Sequence, residues 1–403
     1  MRIVQITPSA GDSFYCENCL RDAALVKAML ALGHDVLMVP LYLPLSFEQD
    51  KPGPVSPIFF GGVNVYLQQK LSVFRRTPRW LDRWFDSPRL LTWVGRMAGM
   101  TSRLDAQESK PDVVCLSNIL LLGLAQPIKQ RLGVPVVCLL QDEDGFLDGL
   151  PAPYAEQAWQ ILAERAGDVD TFIAVSKYYA EVMRKRLRLD SDRIEVAYTG
   201  IALEGYSSCQ ARADVPTIGF LSQMCPDKGL DTLVDAFIAL KKGDRLGHAR
   251  LHVTGGKSAG DKAFLDRLRR RLNAHGVHDD VQFLSHFDHQ AKLAFLQTLS
   301  VLCVPERHPV ACGLYVLEAL AAGVPVVQPA HGVFPELLEM TGGGVLCEPN
   351  NAEALAAALE TLLLDPEQAR QLGEQGRRTI HEKLNIDQTA RDLLRIYAKV
   401  IDY

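Results

Sequence analysis

Short apolar runs alternate with longer stretches of helical periodicity along almost the whole chain. In the first half the runs are "RIVQIT", "HDVLMVPL", "DVVCLS", "VPVVCLL", "DTFIAVS" and "RIEVAY", and a helical pattern from about Cys19 to Leu32 separates the first two. Strand, helix, strand at this spacing predicts parallel βαβ units, because parallel strands need a crossover long enough to hold a helix. The segment "IFFGGVNVYL" breaks the plan and reads as a hairpin pivoting on Gly61 and Gly62. The second half repeats the plan more regularly in "TIGFLS", "ARLHVTGG", "VQFLSH", "VLCVPE", "VPVVQP" and "GVLCEP", each followed by a helix. Runs that stay apolar throughout predict a parallel sheet covered on both faces.

Between the halves, "TGIALEGYSSCQARADVP" (residues 199–216) loses periodicity and gains glycine, serine and proline, as a linker does. The pattern predicts an α/β protein of two doubly wound, Rossmann-like parallel-sheet domains, one over residues 1–205 and one over 206–385. Such sheets place ligands at the carboxyl ends of their strands, here in a cleft between two domains. With 403 residues there is ample chain for two cores.

Composition narrows the function classes. The chain is 48% apolar and 23% charged, which is ordinary for a soluble globular protein. Forty-eight acids against 43 bases leave a net charge of −5, so there is no global pull toward nucleic acid or anionic membrane, and any basic site is local. The nine cysteines are odd in number and lie mostly in apolar runs such as "VVCLS", "VVCLLQ" and "VLCVP". That placement predicts reduced, buried thiols and a cytoplasmic setting. The opening "MRIVQITPSAG" has too short an apolar run for a signal peptide, and no window reaches the uninterrupted apolar length of a membrane span.

The candidate chemistry gathers in the second half. "FLSQMCPDKGLDTLVDAF" puts Lys228 and Gly229 where a strand-to-loop segment turns into a helix. Free N–H groups, the helix dipole and an ammonium charge at that place favour a phosphate, the alternative being a solvated lysine beside a turn glycine. "HVTGGKSAG" brings Gly255 and Gly256 to the next turn on the same sheet edge, and "HGVFPE" follows a later strand. In "HPVACGLYVLEALAAGVPVV", Gly313 permits close backbone approach to a ligand, while Leu314, Tyr315, Val316 and Leu317 supply helix N-terminal amides. Glu318 offers two acceptor oxygens suited to a vicinal diol such as a ribose, the alternative being an exposed helix residue. Lys228 for phosphate and Glu318 for ribose would together hold a nucleotide.

Taken in order, "GFLSQMCPDKGLDTLVDAF", "LHVTGG", "VQFLSHFDHQAKLAFLQTLSVLCVPE", "GLYVLEALAAGVPVVQPAHGVFPELL" and "GGGVLCEPNNAEALAAAL" resemble the retaining GT-B glycosyltransferases of the large bacterial family 4. Upstream, "GHDVLMV", "FIAVSKYYAEVM" and "VAYTGIALEGY" resemble the N-terminal half of that family less specifically. The resemblance implies transfer of a hexose from a nucleotide-sugar, UDP- or GDP-linked, to a hydroxyl acceptor with the anomeric configuration kept. It places Lys228 on the donor diphosphate, Glu318 on the ribose hydroxyls and the Gly313 to Val316 amides on phosphate oxygens. It also implies that no metal or other cofactor is needed, because cationic side chains and amide dipoles neutralise the leaving diphosphate. The N-terminal domain would take the acceptor, a glycan, a lipid-linked sugar or a small molecule but no nucleic acid, and the last helix, 386–403, would pack back onto that domain. A role in cell-surface polysaccharide, glycolipid or related glycan synthesis follows from the same likeness.

The chain departs from the family pattern in several places. A glutamate is usual at position 310 and an aromatic residue at 312, where this chain has Val310 and Cys312. Glu306, Arg307 and His308 lie just upstream and read as loop residues, with substitution for the missing glutamate as the alternative. The usual arginine five residues before the lysine is Gln223 here. Losing such a charged hydrogen bond to the leaving group costs on the order of a few kcal/mol, or roughly a hundredfold in rate. Where a histidine is frequent in the N-terminal domain, "CLLQDEDGFLDGL" offers Gln141 and Asp142 as candidate catalytic positions, with Glu143 and Asp144 toward the acceptor; a solvated acidic loop is the alternative. The first βα turn, "SAGDSFYCENCLRD", carries Gly11 and Arg21 on the acceptor side and a lone Cys16-x-x-Cys19 that lacks a second pair of zinc ligands.

Residues 74–103 hold seven arginines, two aspartates, Trp80, Trp84 and Trp93. They read either as a basic aromatic surface touching the inner face of a membrane that bears a lipid-linked acceptor, or as a helical insertion with packed tryptophans and solvated arginines. Val310 and Gln223 keep two rivals open: a catalytically impaired nucleotide-sugar-binding protein, and a GT-B sugar-nucleotide epimerase.

Overall fold

The computed structural model describes residues 1–8, 17–40, 110–206, 215–243, 245–284 and 288–402. The hairpin expected around Gly61, the basic aromatic stretch 74–103, Gly11 and Cys16 lie outside them. The chain divides into two compact units. Unit 1 takes Met1–Val175, Ala180–Ala197 and Thr389–Tyr403, and unit 2 takes Ser176–Tyr179 and Tyr198–Gln388.

The first sheet is built from β1 (Arg2–Thr7), β2 (Asp35–Pro40), β3 (Val113–Leu116), β4 (Val136–Leu140), β5 (Thr171–Ala174) and β6 (Ile194–Val196). Its strands are all parallel, in the order β2-β1-β3-β4-β5-β6. The crossovers hold α1 (Glu17–Ala31), α2 (Ala125–Leu132), α3 (Asp144–Asp148), α4 (Tyr154–Arg165) and α5 (Lys177–Leu187). Every residue of β3 and β4 is buried, as their unbroken apolar runs require for strands covered on both faces. The strand order reverses between β1 and β3, so the loops leaving those two strands diverge and leave room at their carboxyl ends.

Unit 2 repeats this plan with β7 (Thr217–Leu221), α6 (Leu230–Lys242), β8 (Arg250–Thr254), α7 (Lys262–Ala274), β9 (Val281–Phe283), α8 (His289–Gln297), β10 (Val301–Cys303), α9 (Leu314–Ala321), β11 (Val326–Pro329), α10 (Phe334–Thr341), β12 (Gly344–Cys347), α11 (Ala352–Leu364) and α12 (Pro366–Lys383). Its parallel sheet runs β12-β11-β10-β7-β8-β9, with the switch point between β7 and β10. Phe220, Phe237 and Phe334 are fully enclosed in its core, where each aromatic ring removes a large apolar area from water.

Ile201, inside the segment read as a linker, is buried and pairs in a parallel bridge with Asn385. Its N–H donates to the Leu384 carbonyl at 3.2 Å, and its own carbonyl accepts from the Ile386 N–H at 2.9 Å. An apolar side chain in a polar stretch anchors this part of the connection. The last helix, α13 (Ile386–Ile401), begins in unit 2 and from Thr389 onward belongs to unit 1. There Tyr397 is fully buried against Cys115 of β3. Among the described residues no helix is long and apolar enough to cross a membrane.

Candidate functional site

At the end of β7 the chain makes a short turn over Pro226–Lys228 and enters α6 through Gly229. Gly229 has φ +69°, and a Cβ on it would lie 1.9 Å from the Pro305 carbonyl oxygen. Only glycine lets the start of α6 press so closely against the chain leaving β10. That approach sets Lys228 beside Glu306: its Nζ is 2.8 Å from Glu306 Oε1. Glu306 is only 3% exposed, and the Tyr315 hydroxyl donates to the same oxygen at 3.1 Å. His331 holds the backbone of this residue, with Nε2 3.0 Å from the Glu306 carbonyl oxygen. A carbonyl only accepts, so Nε2 carries the proton; burial lowers the His331 pKa and keeps the ring neutral.

Tyr315 lies in the first turn of α9, which starts at Gly313 without a side-chain cap. The Val316 and Leu317 N–H groups already bond to the Gly313 carbonyl, and the helix start points its dipole the same way. Glu318 stands one turn on. Residues three apart on a helix are neighbours, about 5–6 Å between Cβ atoms, so Tyr315 and Glu318 share a face. The Glu318 carboxylate accepts from Lys292 Nζ, and the two side chains are 17% and 11% exposed. Asp288 starts α8 by accepting the Ala291 N–H at 2.7 Å, which sets Lys292 in the helix's first turn. These side chains thus form a polar strip of two bonded groups, Lys228–Glu306–Tyr315 and Glu318–Lys292, with Tyr315 and Glu318 one turn apart on α9.

The remaining expected donor residues adjoin this strip. Gly255 has φ +135°, and a Cβ there would fall 1.9 Å from the Ser222 carbonyl oxygen, so the exits of β7 and β8 are pressed together. The Gly256 carbonyl accepts the Met224 N–H at 2.8 Å. Gln223 hydrogen-bonds the Asp261 side chain, which ties it to the loop after β8. Arg307 is paired with Asp231 at 2.5 Å, and its N–H donates to the Asp227 carbonyl at 2.9 Å. Val310 is buried and offers no polar group. No signal along the chain marks Glu306 as buried or joins Lys292 to Glu318, because each contact is made between separate elements; a local hint was the apolar run that ends just before Glu306.

In unit 1, Asp22 is almost fully buried near the start of α1 and accepts from Thr7 Oγ1 at 3.3 Å and Gln141 Nε2 at 3.2 Å. Arg21 approaches it at 4.0 Å. Burial raises the Asp22 pKa, while Arg21 and the hydrogen bonds from Gln141, Ser117 and Thr7 oppose the rise. Glu143 is also buried, and its two oxygens accept backbone N–H groups from Gln141 at 2.6 Å and Ile119 at 3.2 Å. It is therefore a brace between the loops after β3 and β4, not part of a solvated acidic loop. Asp142, beside it, takes a left-handed conformation with φ +74°, and Asp144 opens α3. Among the described residues no group of three or more His, Cys, Asp or Glu side chains is placed to hold a metal ion.

Comparison with known proteins bears on what these strips belong to. Residues 23–204 match the family model Glycosyltransferase Family 4, and residues 209–379 match Glycosyl transferases group 1. The chain belongs to glycosyltransferase family 4. It is 30% identical over 184 residues to a GDP-mannose-dependent alpha-(1-6)-phosphatidylinositol monomannoside mannosyltransferase of Mycobacterium tuberculosis, covering 44% of this chain and 46% of that protein. It is 27% identical over 296 residues to the D-inositol 3-phosphate glycosyltransferase of Salinispora tropica, covering 68% of this chain and 61% of that one. The chain thus spans between about half and three fifths of the length of these curated relatives.

Among solved structures, sucrose-phosphate synthase of Thermosynechococcus elongatus superposes with a TM-score of 0.72 at 19% identity over the whole of both chains. Anabaena HepE in complex with UDP does so with a TM-score of 0.69 at 16% identity, over 99% of this chain and all of that one. At such identities the likeness is one of fold, and that fold is the two-domain GT-B architecture of parallel-sheet units.

Proposed function

We propose that this family 4 chain transfers a hexose from a UDP- or GDP-linked sugar to a hydroxyl acceptor, with the anomeric configuration retained and without a metal. The observation that carries the proposal is the strip joining Lys228 to Glu318 through Glu306 and Tyr315 at the switch point of unit 2. An ammonium has three donors, so Lys228 has N–H groups to offer a diphosphate oxygen. A carboxylate has about four lone-pair sites, so Glu318 can accept two ribose hydroxyls while paired with Lys292. The leaving diphosphate gathers charge as the glycosidic bond breaks, and Lys228 with the first amides of α9 offers fixed positive charge and dipole for it. On the retained face, a donor phosphate oxygen takes the acceptor proton as the new bond forms.

Acceptor binding falls to unit 1, where Gln141, Asp142 and Asp144 follow the end of β4 and Arg21 lies in α1. The named relatives act on an inositol phosphate and on a mannosylated phosphatidylinositol, which supports a polyol or lipid-linked acceptor here. A cytoplasmic setting with peripheral contact to a membrane through residues 74–103 completes the proposal. Buried Val310 and the engaged Gln223 favour a second reading, a protein that binds nucleotide-sugar and transfers it poorly.

A thermal-shift series with UDP, GDP and their sugars tests the site, since a ligand stabilises the native state by RT ln(1 + [L]/Kd). Lys228→Ala and Glu318→Ala should each abolish the shift, and retention of the full shift by both refutes the assignment. Chromatography separates the remaining readings. Acceptor-dependent release of nucleotide marks a transferase, tight binding without turnover marks a binder, and conversion of donor alone marks an epimerase.

A further inference from the structure

Within the donor reading just given, on which this inference rests, we propose that Glu306 is the residue that recognises the donor's sugar, and that Lys228 passes from Glu306 toward the diphosphate when donor binds. Glu306 lies three residues past the end of β10, one of the two strands at the switch point of the unit 2 sheet. Its side chain is almost wholly withdrawn from water, and its Oε1 meets two groups of the polar strip, Lys228 at 2.8 Å and Tyr315 at 3.1 Å. A carboxylate buried in such a place is costly unless paired, and a simple structural pair could be replaced by apolar residues at little loss.

The backbone around Glu306 is fixed from three sides before any ligand arrives. His331 holds the Glu306 carbonyl at 3.0 Å, the Asp227 carbonyl takes the Arg307 N–H at 2.9 Å, and Asn350 donates to the Arg307 carbonyl at 3.2 Å. A carboxylate held this firmly is prearranged for a ligand whose groups are hydrogen-bond donors. Sugar hydroxyls are such donors, whereas diphosphate oxygens are not. Beside a diphosphate, Glu306 is electrostatically unfavourable; beside a sugar ring it is an acceptor. Val310, four residues on, is buried and apolar and cannot supply that acceptor.

These opposite effects give Glu306 a signature that a purely structural ion pair lacks. Glu306→Gln keeps the shape and removes the charge. In calorimetric titration it should bind UDP or GDP about five- to tenfold more tightly than the parent, because like-charge repulsion is gone. The extra affinity of the nucleotide-sugar over the bare nucleotide should vanish, and kcat/KM for transfer should fall roughly a hundredfold. Tyr315→Phe, which removes a donor to Glu306 but keeps the charge, should shrink the sugar-dependent affinity by less and should not tighten UDP or GDP, and Glu306→Gln with Val310→Glu should restore part of the sugar-dependent affinity. If Glu306→Gln leaves the gap between nucleotide and nucleotide-sugar unchanged, or weakens both ligands equally, the inference is overturned while the donor site stands. If the parent protein binds neither, the donor reading falls and this inference falls with it.

Discussion

Lys292 and Glu318, on successive helices of unit 2, share an ion pair from which water is largely withdrawn. Lys292 thereby fixes the direction of the carboxylate proposed to receive the ribose. Lys292→Met should cost about 1–3 kcal/mol, the scale for leaving a charge partly buried and uncompensated. Affinity for UDP or GDP should fall roughly tenfold as Glu318 loses its orientation, while Lys292→Arg should preserve most of both. Denaturant midpoints and titration calorimetry read the two effects separately, and an unchanged affinity in Lys292→Met would remove Lys292 from any part in the site.

Gly229→Ala tests the close approach that brings Lys228 to Glu306. The added methyl would meet the Pro305 carbonyl oxygen, and φ +69° is strained for any residue with a side chain. A loss of about 3 kcal/mol is expected, a fall in Tm of roughly 6–12 °C for a unit of this size. Circular dichroism melting measures it, and a Tm within a degree of the parent would mean the turn yields without cost.

Asp22 makes stability depend on pH in a stated direction. Its folded-state pKa is lifted above 3.8, chiefly by burial. A carboxyl shifted upward lends stability that is complete below its unfolded pKa and is lost as pH rises through the folded value. Asp22→Asn does not titrate, so its Tm relative to the parent should improve as pH rises from the unfolded carboxyl range through the raised folded value. Parallel melting profiles across that range would contradict the expected shift.

The cysteines should be inert in the native protein. Burial pushes the Cys115 thiol up to about 12, and lifts those of Cys138 and Cys303 as well, so almost no thiolate exists near neutral pH. Peptide mapping after alkylation should find these three modified only in denaturant. Cys312 is partly exposed where Cys115, Cys138, Cys225, Cys303 and Cys347 are buried, so it should label first among these six. Native labelling of Cys115 at a comparable rate would show that unit 1 opens locally.

Much of this was legible in the chain, and the misses have a common cause. Unbroken apolar runs such as "VVCLL" could only be strands covered on both faces, and the stretch around Gly313 and Glu318 announced the helix that starts there. Glu306 could not be read because its burial depends on Lys228, 78 positions away. Asp22 likewise needs Gln141, 119 positions away, to become a bonded buried carboxylate instead of an exposed one. Glu143, expected toward the acceptor with a solvated loop as the alternative, is instead turned inward by backbone N–H groups from two loops, which no local pattern announces. Periodicity reports which face of an element is hidden, and it is silent about which polar group a distant loop will deliver to it.

Tyr397 gives the fold an unusual bookend. Unit 1 draws a fully buried aromatic ring from a segment that follows all of unit 2, although its other segments all precede residue 198. A ribosome must therefore synthesise past residue 397 before the first unit can close its core. No single scission yields two self-sufficient halves; an isolated amino-terminal fragment would need the last helix grafted back, or supplied in trans, before it could fold.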